Sequence, residues 1–271
     1  MPADTKLILK GCDVSDWQSP SLVDWRSQDF GIVKATDGKR PMKKTLAHVA
    51  EIRGAASPIP HSPGFADVYT PRSCVLGLYH FLRADSPVQE QFEAFNKVAA
   101  DASLLNGDLL PCIDIEDYPG YSLDRDPQGH SERAREFAML CREAFGGAIL
   151  YIKAHDWRRL GKPGWVLEYP LWVAHYPAEG STRHLAAPAA IAGRSYRIWQ
   201  RMVGPLGQVL QASKNPRAVD QNIATYPLPL IERGIVKSAD DRIPWVLMTA
   251  DTAEEMRQAR DLHLRRELDD A

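Results

Sequence analysis

The 271 residues carry 33 Lys and Arg against 35 Asp and Glu, a formal net charge of −2, and are 44% hydrophobic and 25% charged. These proportions exclude a disordered or fibrous chain, and the near-balanced, interspersed charge gives no electrostatic case for nucleic acid or an anionic membrane surface. The start, MPADTKLILKG, lacks the apolar stretch and cleavage site of a signal peptide, and no run of about 18 apolar residues predicts a membrane span.

In chain order, strands are predicted at Leu9 to Val14 and Phe30 to Thr36, then a weak helical pattern at Met42 to Ile52 and a long Pro-rich stretch from Ser57 to Ser73. A third strand at Val75 to Phe81 leads into Pro87 to Leu105, where Phe92, Phe95, Val98, Ala99 and Ala102 have the spacing of a crossover helix. The fourth strand is Leu110 to Glu116. A second helix is predicted over Ser131 to Phe145, closed by Gly146-Gly147. Further strands follow at Ala148 to Lys153, Pro170 to Tyr176, Tyr196 to Gln200 and Ala218 to Ile223. Most read as near-continuous apolar runs, which suits parallel strands covered on both faces. The connections Pro177 to Ser195 and Met202 to Arg217 carry no helical stripe. The pattern predicts an α/β chain folded as an irregular TIM-like (β/α)5(β)3 barrel, with helices on the first five strands and bare connections on the last three. Residues 1–230 form the single catalytic domain in this reading. Residues 231–271 are an extension ending in a helix packed on the barrel, with Thr252 and Glu255 spaced as a capping box.

In parallel barrels the reactive side chains come from the C-terminal ends of strands. Asp114 and Glu116, two apart on the fourth strand, share a face, with Cα atoms about 6.5–7 Å apart. Two carboxyls in one partly desolvated site repel, so one keeps its proton while the other stays ionised, the division of labour that glycoside cleavage requires. Closure of the barrel makes strands one and eight neighbours, so Asp13 and Asp220 meet across the seam. Tyr79, Phe81, Tyr151, Trp172, Tyr176 and Trp199 fall at the same rim, where rings can stack on sugars or serve as core; the hydroxyls of Tyr79 and Tyr176 favour the site.

His80 and His175 lie in no HxH, HExxH or clustered Cys/His spacing, so no metal is expected and His80 is read as hydrogen-bonded or substrate-contacting. Cys12, Cys74, Cys112 and Cys141 have no CxxC spacing and read as reduced, buried thiols. Neither a GxSxG elbow nor a phosphate loop is present, and no cofactor is expected.

Gly11-Cys12-Asp13-Val14-Ser15, Lys34-Ala35-Thr36-Asp37-Gly38, Gly77-Leu78-Tyr79-His80-Phe81, Asp114-Ile115-Glu116, Leu171-Trp172-Val173-Ala174-His175-Tyr176, Trp199-Gln200 and Val219-Asp220-Gln221-Asn222 together resemble glycoside hydrolase family 25, the Chalaropsis-type lysozymes or N-acetylmuramidases. The resemblance runs in order from about residue 9 to 224. It implies hydrolysis of the β-1,4 bond between N-acetylmuramic acid and N-acetylglucosamine in peptidoglycan glycan strands. It also implies Glu116 as general acid/base, Asp114 beside it, and Asp13 and Asp220 as supporting acids. Tyr79, His80, Tyr151, Trp172, Tyr176, Gln200 and Asp37 are the substrate-binding candidates. Asp37 stands where the family often has Glu, which shortens that contact. The mechanism expected is attack by the substrate's own 2-acetamido oxygen with retention, an inverting route with activated water staying open. Two alternatives to a muramidase are a chitinase-like hydrolase, whose longer motif wants an Asp where Cys112 stands, and a catalytically silent glycan-binding barrel. A monomer is expected, made in the cytoplasm and reaching the wall through a holin-type release or a secretion machine.

Overall fold

A computed structural model describes residues 8–55, 74–105, 107–175, 191–194, 196–203, 219–225 and 228–231. Nine strands form one sheet: β1 (Ile8–Val14), β2 (Phe30–Asp37), β3 (Arg40–Pro41), β4 (Val75–Phe81), β5 (Cys112–Asp114), β6 (Ile149–Tyr151), β7 (Leu171–Ala174), β8 (Ile198–Val203) and β9 (Asp220–Thr225). The order β1-β9-β8-β7-β6-β5-β4-β2, with β1 also paired to β2, closes eight of them into a barrel, and β3 is a short flap on β2.

All eight predicted strands are present, but the last one runs the other way. β9 is antiparallel to both β8 and β1, whereas the remaining barrel pairs are parallel. Asp220 therefore begins its strand, and this reversal brings it to the rim where the other strands end. It pairs in register with Asp13.

Alternation sorts each strand into two faces. One set, including Leu9, Phe30, Ile32, Leu109, Cys112, Ile149, Tyr151, Trp172, Ile198 and Ala224, packs as a cluster inside the barrel. The other, including Val14, Val33, Leu76, Leu78, Ile113, Ile115, Leu150 and Val173, meets the helices outside. Interior crowding explains two motif glycines: a Cβ on Gly11 would lie 2.5 Å from the Phe30 ring, and one on Gly77 2.8 Å from Leu109. Below, Leu228 joins the interior cluster, and residues 229–231 pair with the segment entering β5, so the chain crosses the floor.

The α-helices are α1 (Thr45–Gly54), α2 (Val88–Asp101), α3 (Pro127–Phe145) and the short α4 (Ala154–Arg159). α3 starts earlier than its apolar stripe predicts. Asp126 caps the Gly129 N–H at 3.0 Å and Pro127 occupies the first turn, a start signal that the stripe alone does not contain. The β1–β2 connection holds two 3-10 turns, Pro20–Leu22 and Trp25–Ser27, in place of the expected first helix. Residues 56–73, the connections 176–190 and 204–218, and the predicted extension beyond residue 231 lie outside the described residues.

Candidate active site at the barrel mouth

Above the apolar interior, the inward positions turn polar. Asp13 lies 7% exposed at the end of β1, and its Oδ2 accepts from Gln200 Nε2 at 2.8 Å and Asn222 Nδ2 at 2.7 Å. Both amides are themselves oriented: Tyr151 OH donates to Gln200 Oε1 at 2.8 Å, and Trp172 Nε1 donates to Asn222 Oδ1 at 2.8 Å. Indole N–H is donor only, so Asn222 must turn its oxygen to Trp172 and its NH2 to Asp13. β1, β6, β7, β8 and β9 are thus tied together through one carboxylate.

Asp114, on β5, is equally buried at 7% exposure, and its Oδ1 has no hydrogen-bond partner. Glu116, just past the strand, is half-buried and its Oε2 accepts from Lys153 Nζ at 2.7 Å. Asp220 completes the acid group, with Oδ1 also buried and unpartnered. Burial drives the electrostatics. Asp13 is pushed up to about 7, with the hydrogen bonds from Asn222 and Gln200 opposing and the charge of Glu116 adding to the rise. Asp220 is pushed up to about 8 by burial, then by Asp13 and Glu116. Asp114 rises well above its ordinary 3.8 through burial and the charge of Glu116, with Lys34 and Lys153 opposing. The mouth therefore keeps protons on carboxyls near neutral pH, beside oxygens that lack partners, which is equipment for proton transfer.

Aromatic rings frame these acids. Trp172 packs edge-on against Tyr151 at 4.7 Å and Tyr79 at 6.2 Å between centroids. The Tyr79 hydroxyl is held neutral far above its ordinary range by burial and by the surrounding carboxyls. On the β2 side, Lys34 Nζ lies 4.2 Å over the Phe81 ring and 3.2 Å from Asp37 Oδ2. Arg83 donates to Asp37 from the other side and stacks 4.1 Å over Tyr118. Burial opposes ionisation of Asp37, but the Arg83 hydrogen bond and the Lys34 charge win and hold it below the usual range. Arg40 adds a third contact at 3.5 Å, so Asp37 is spoken for by three cations at the rim.

Two of the proposed substrate contacts stand apart. His80 does not line the mouth: a bulge in β2 at Lys34/Thr36 turns Thr36 outward, and His80 faces the helix layer with it. There it stacks on Phe137 at 4.1 Å, with Nδ1 2.7 Å from Thr36 Oγ1 and Nε2 3.1 Å from Gln91 Oε1. Gln91 Oε1 can only accept, which fixes the neutral Nε2–H tautomer, and burial pushes the imidazole down to about 3. His80 is a core residue that also anchors Gln91, which in turn holds the backbone of Arg83. Tyr176 lies outside the described residues.

Lys34, Lys153 and Asn222 were not among the predicted site residues. A period of two would have found them, since Lys153 follows Tyr151, Asn222 follows Asp220 and Lys34 follows Ile32 on the inward face. Among the described residues no group of three or more His, Cys, Asp or Glu is placed to hold a metal ion. All four cysteines are buried, Cys112 inside the barrel beneath Asp114. No described helix is long and apolar enough to cross a membrane.

The sequence pattern of glycosyl hydrolases family 25 matches residues 69–201. No curated protein matches the chain. Among solved structures, a bacterial lysozyme from Streptomyces coelicolor is 22% identical with a TM-score of 0.57, over 79% of this chain and 90% of that one. A muramidase from Trichobolus zukalii is 19% identical with a TM-score of 0.56, over 79% and 92%. The catalytic domain of endolysin ply40 from bacteriophage P40 of Listeria monocytogenes is 14% identical with a TM-score of 0.54, over 81% and 94%. At these identities the likeness is one of fold.

Proposed function

We propose that the chain is a glycoside hydrolase of family 25, whose pattern matches residues 69–201, and that it cleaves the β-1,4 bond between N-acetylmuramic acid and N-acetylglucosamine in peptidoglycan. The observation that carries this reading is the gathering of Asp13, Asp114, Glu116 and Asp220 among Tyr79, Tyr151 and Trp172 at one barrel mouth. Acids supply proton transfer, and rings supply faces for sugar. The three structural neighbours are named as a lysozyme, a muramidase and an endolysin, which agrees with the substrate class.

In the proposed reaction Glu116 protonates the leaving glycosidic oxygen. The substrate's acetamido oxygen attacks the anomeric carbon as the leaving group departs, and Asp114 accepts from the acetamido N–H and stabilises the positive charge of the oxazolinium that forms. Water, giving its proton to the Glu116 carboxylate, then opens that ring at the anomeric carbon, and the two displacements together retain configuration. The unpartnered Oδ1 of Asp114 supports that role, since it is an acceptor with nothing yet to accept from. Asp13, locked by two amides, keeps Gln200 and Asn222 in place, and Asp220 joins the carboxyls that keep the Tyr79 hydroxyl neutral. Asp37 and Gln200 belong to the same proposed sugar-binding surface. The enzyme acts on the cell wall as a monomer, after holin-type release or delivery by a secretion machine.

Digestion of purified peptidoglycan, with mass analysis of the sugar carrying the new reducing end, tests the bond specificity. Glu116→Gln is expected to lower kcat by roughly 10² to 10⁴ with the fold intact. Near-wild-type turnover by that variant would remove Glu116 from its role, and NMR showing an inverted first-formed anomer would remove the acetamido route.

A further inference from the structure

Trp17 is 65% exposed, although indole is among the costliest side chains to leave in water. The other large exposed apolar residues described lie elsewhere: Leu46 on α1, Met139 on α3 and Leu105 at the floor before β5. Trp17 alone of these four sits at the mouth, four residues past Asp13 and therefore within about 14 Å of it along the chain.

The loop that carries it is tightly fastened. Gln18 Oε1 accepts from Ser15 N at 2.8 Å and Ser15 Oγ at 3.2 Å, and Gln18 N donates back to Ser15 O at 3.2 Å. The Asp16 carboxylate caps Lys43 N at 3.0 Å and Lys44 N at 2.8 Å, at the start of α1. Lys44 Nζ reaches Gln18 O at 3.0 Å, and His48 Nε2 lies 3.1 Å from Ser15 O. The side chains of Ser15, Asp16 and Gln18 thus bond within the protein while the indole faces water. A rigid backbone removes the ordering cost that a mobile loop would bring to binding.

We propose that Trp17 is a sugar-stacking platform that extends the glycan groove from the acid cluster onto the β1–β2 shoulder. The occupant is a pyranose of the same strand, one or more units from the scissile bond, held by its apolar C–H face. This rests on the reading of the barrel as a peptidoglycan hydrolase, and its residue lies outside the proton-transfer machinery.

The test uses the full chain and soluble glycan strands stripped of stem peptides. Trp17→Ala should raise KM roughly 3- to 10-fold, the scale of one aromatic stacking contact, with kcat little altered, and Trp17→Phe should recover most of the loss. Sedimentation with insoluble peptidoglycan should weaken in parallel. Equal KM and equal sedimentation for wild type and Trp17→Ala overturn the proposal, as does a kcat loss without a KM change. Wild-type protein that releases no sugar, yet sediments with peptidoglycan in a Trp17-dependent way, overturns the hydrolase reading and upholds the platform. Wild-type protein that does neither overturns both.

Discussion

Stability should fall as pH rises from about 6.5 to 8, because the mouth holds protons that the unfolded chain has already lost. Asp13 releases its proton at about 7 and Asp220 at about 8 in the folded protein, against an ordinary 3.8, each raised first by burial. Wherever the folded state binds the extra proton, the free energy of unfolding drops as pH climbs, by about 1.4 kcal/mol per pH unit for each group. Two buried histidines work in the opposite sense. Burial pushes His80 down to about 3 and His130 to about 4, against an ordinary 6.5, so stability recovers on this account as pH rises to 6.5 and is constant above it. Below 6.5 the two effects offset each other, and above it only the carboxyls act. Asp13 then contributes over half a pH unit and Asp220 over one and a half, together about 3 kcal/mol. Asp114 is raised as well and acts in the same direction. For a chain of this size that corresponds to a Tm lower by roughly 6–12 °C at pH 8 than at pH 6.5.

Thermal unfolding followed by circular dichroism at constant ionic strength measures the effect, and Asp220→Asn isolates its cause. The amide removes the longer of the two titrations, so the variant should lose more than half of the decline. A Tm that is level or rising over this interval, or an Asp220→Asn protein that falls as steeply as wild type, would refute the reasoning.

Lys153→Met removes a cation that opposes the rise of Asp114 and Asp220, so the alkaline limb of the pH profile of kcat/KM should move up; an unmoved limb counts against the ion pair's influence. Asn222→Ala takes one of two amide donors from Asp13 and leaves Trp172 Nε1 without an acceptor, a loss of roughly 2–4 kcal/mol in urea unfolding. Gly11→Ala drives a Cβ to 2.5 Å from the Phe30 ring and should cost about 1–3 kcal/mol, whereas Gly54→Ala, with nothing within 4 Å, should be neutral or stabilising.

The barrel was legible because its strands are short apolar runs whose inner and outer faces are both covered, and such runs stand out whichever way the chain travels. For the same reason strand direction was not legible: Asp220-Gln221-Asn222-Ile223 reads the same parallel or antiparallel. The meeting of Asp13 with Asp220 survives the reversal because it depends only on closure and on register. His80 was misplaced by a different device. Its neighbours in the rim motif drew it into the site, although strict alternation from Tyr79 already sends it outward; only its partner there, Thr36, depends on the β2 bulge that no periodicity records.

Within the acid pair, the sequence places Asp114 and Glu116 on one face but is silent on which of them holds the proton, because that is decided by neighbours far away in the chain. Lys153, two residues past the neighbouring strand, donates to Glu116 Oε2 at 2.7 Å. Asp114 is deeper, has an oxygen without a partner and rises well above 3.8. Burial and the charge of Glu116 thus favour the protonated form of Asp114 in the free protein, while the proposed chemistry needs a proton on Glu116. An acetamido N–H donated to Asp114 favours the ionised form of that carboxyl, so substrate entry itself drives the proton toward Glu116 as Lys153 lets go. If so, Asp114→Asn abolishes the store as well as the stabilising charge, and its rate loss should approach that of Glu116→Gln at neutral pH. A small loss in Asp114→Asn beside a large one in Glu116→Gln would mean that Glu116 draws its proton from solvent.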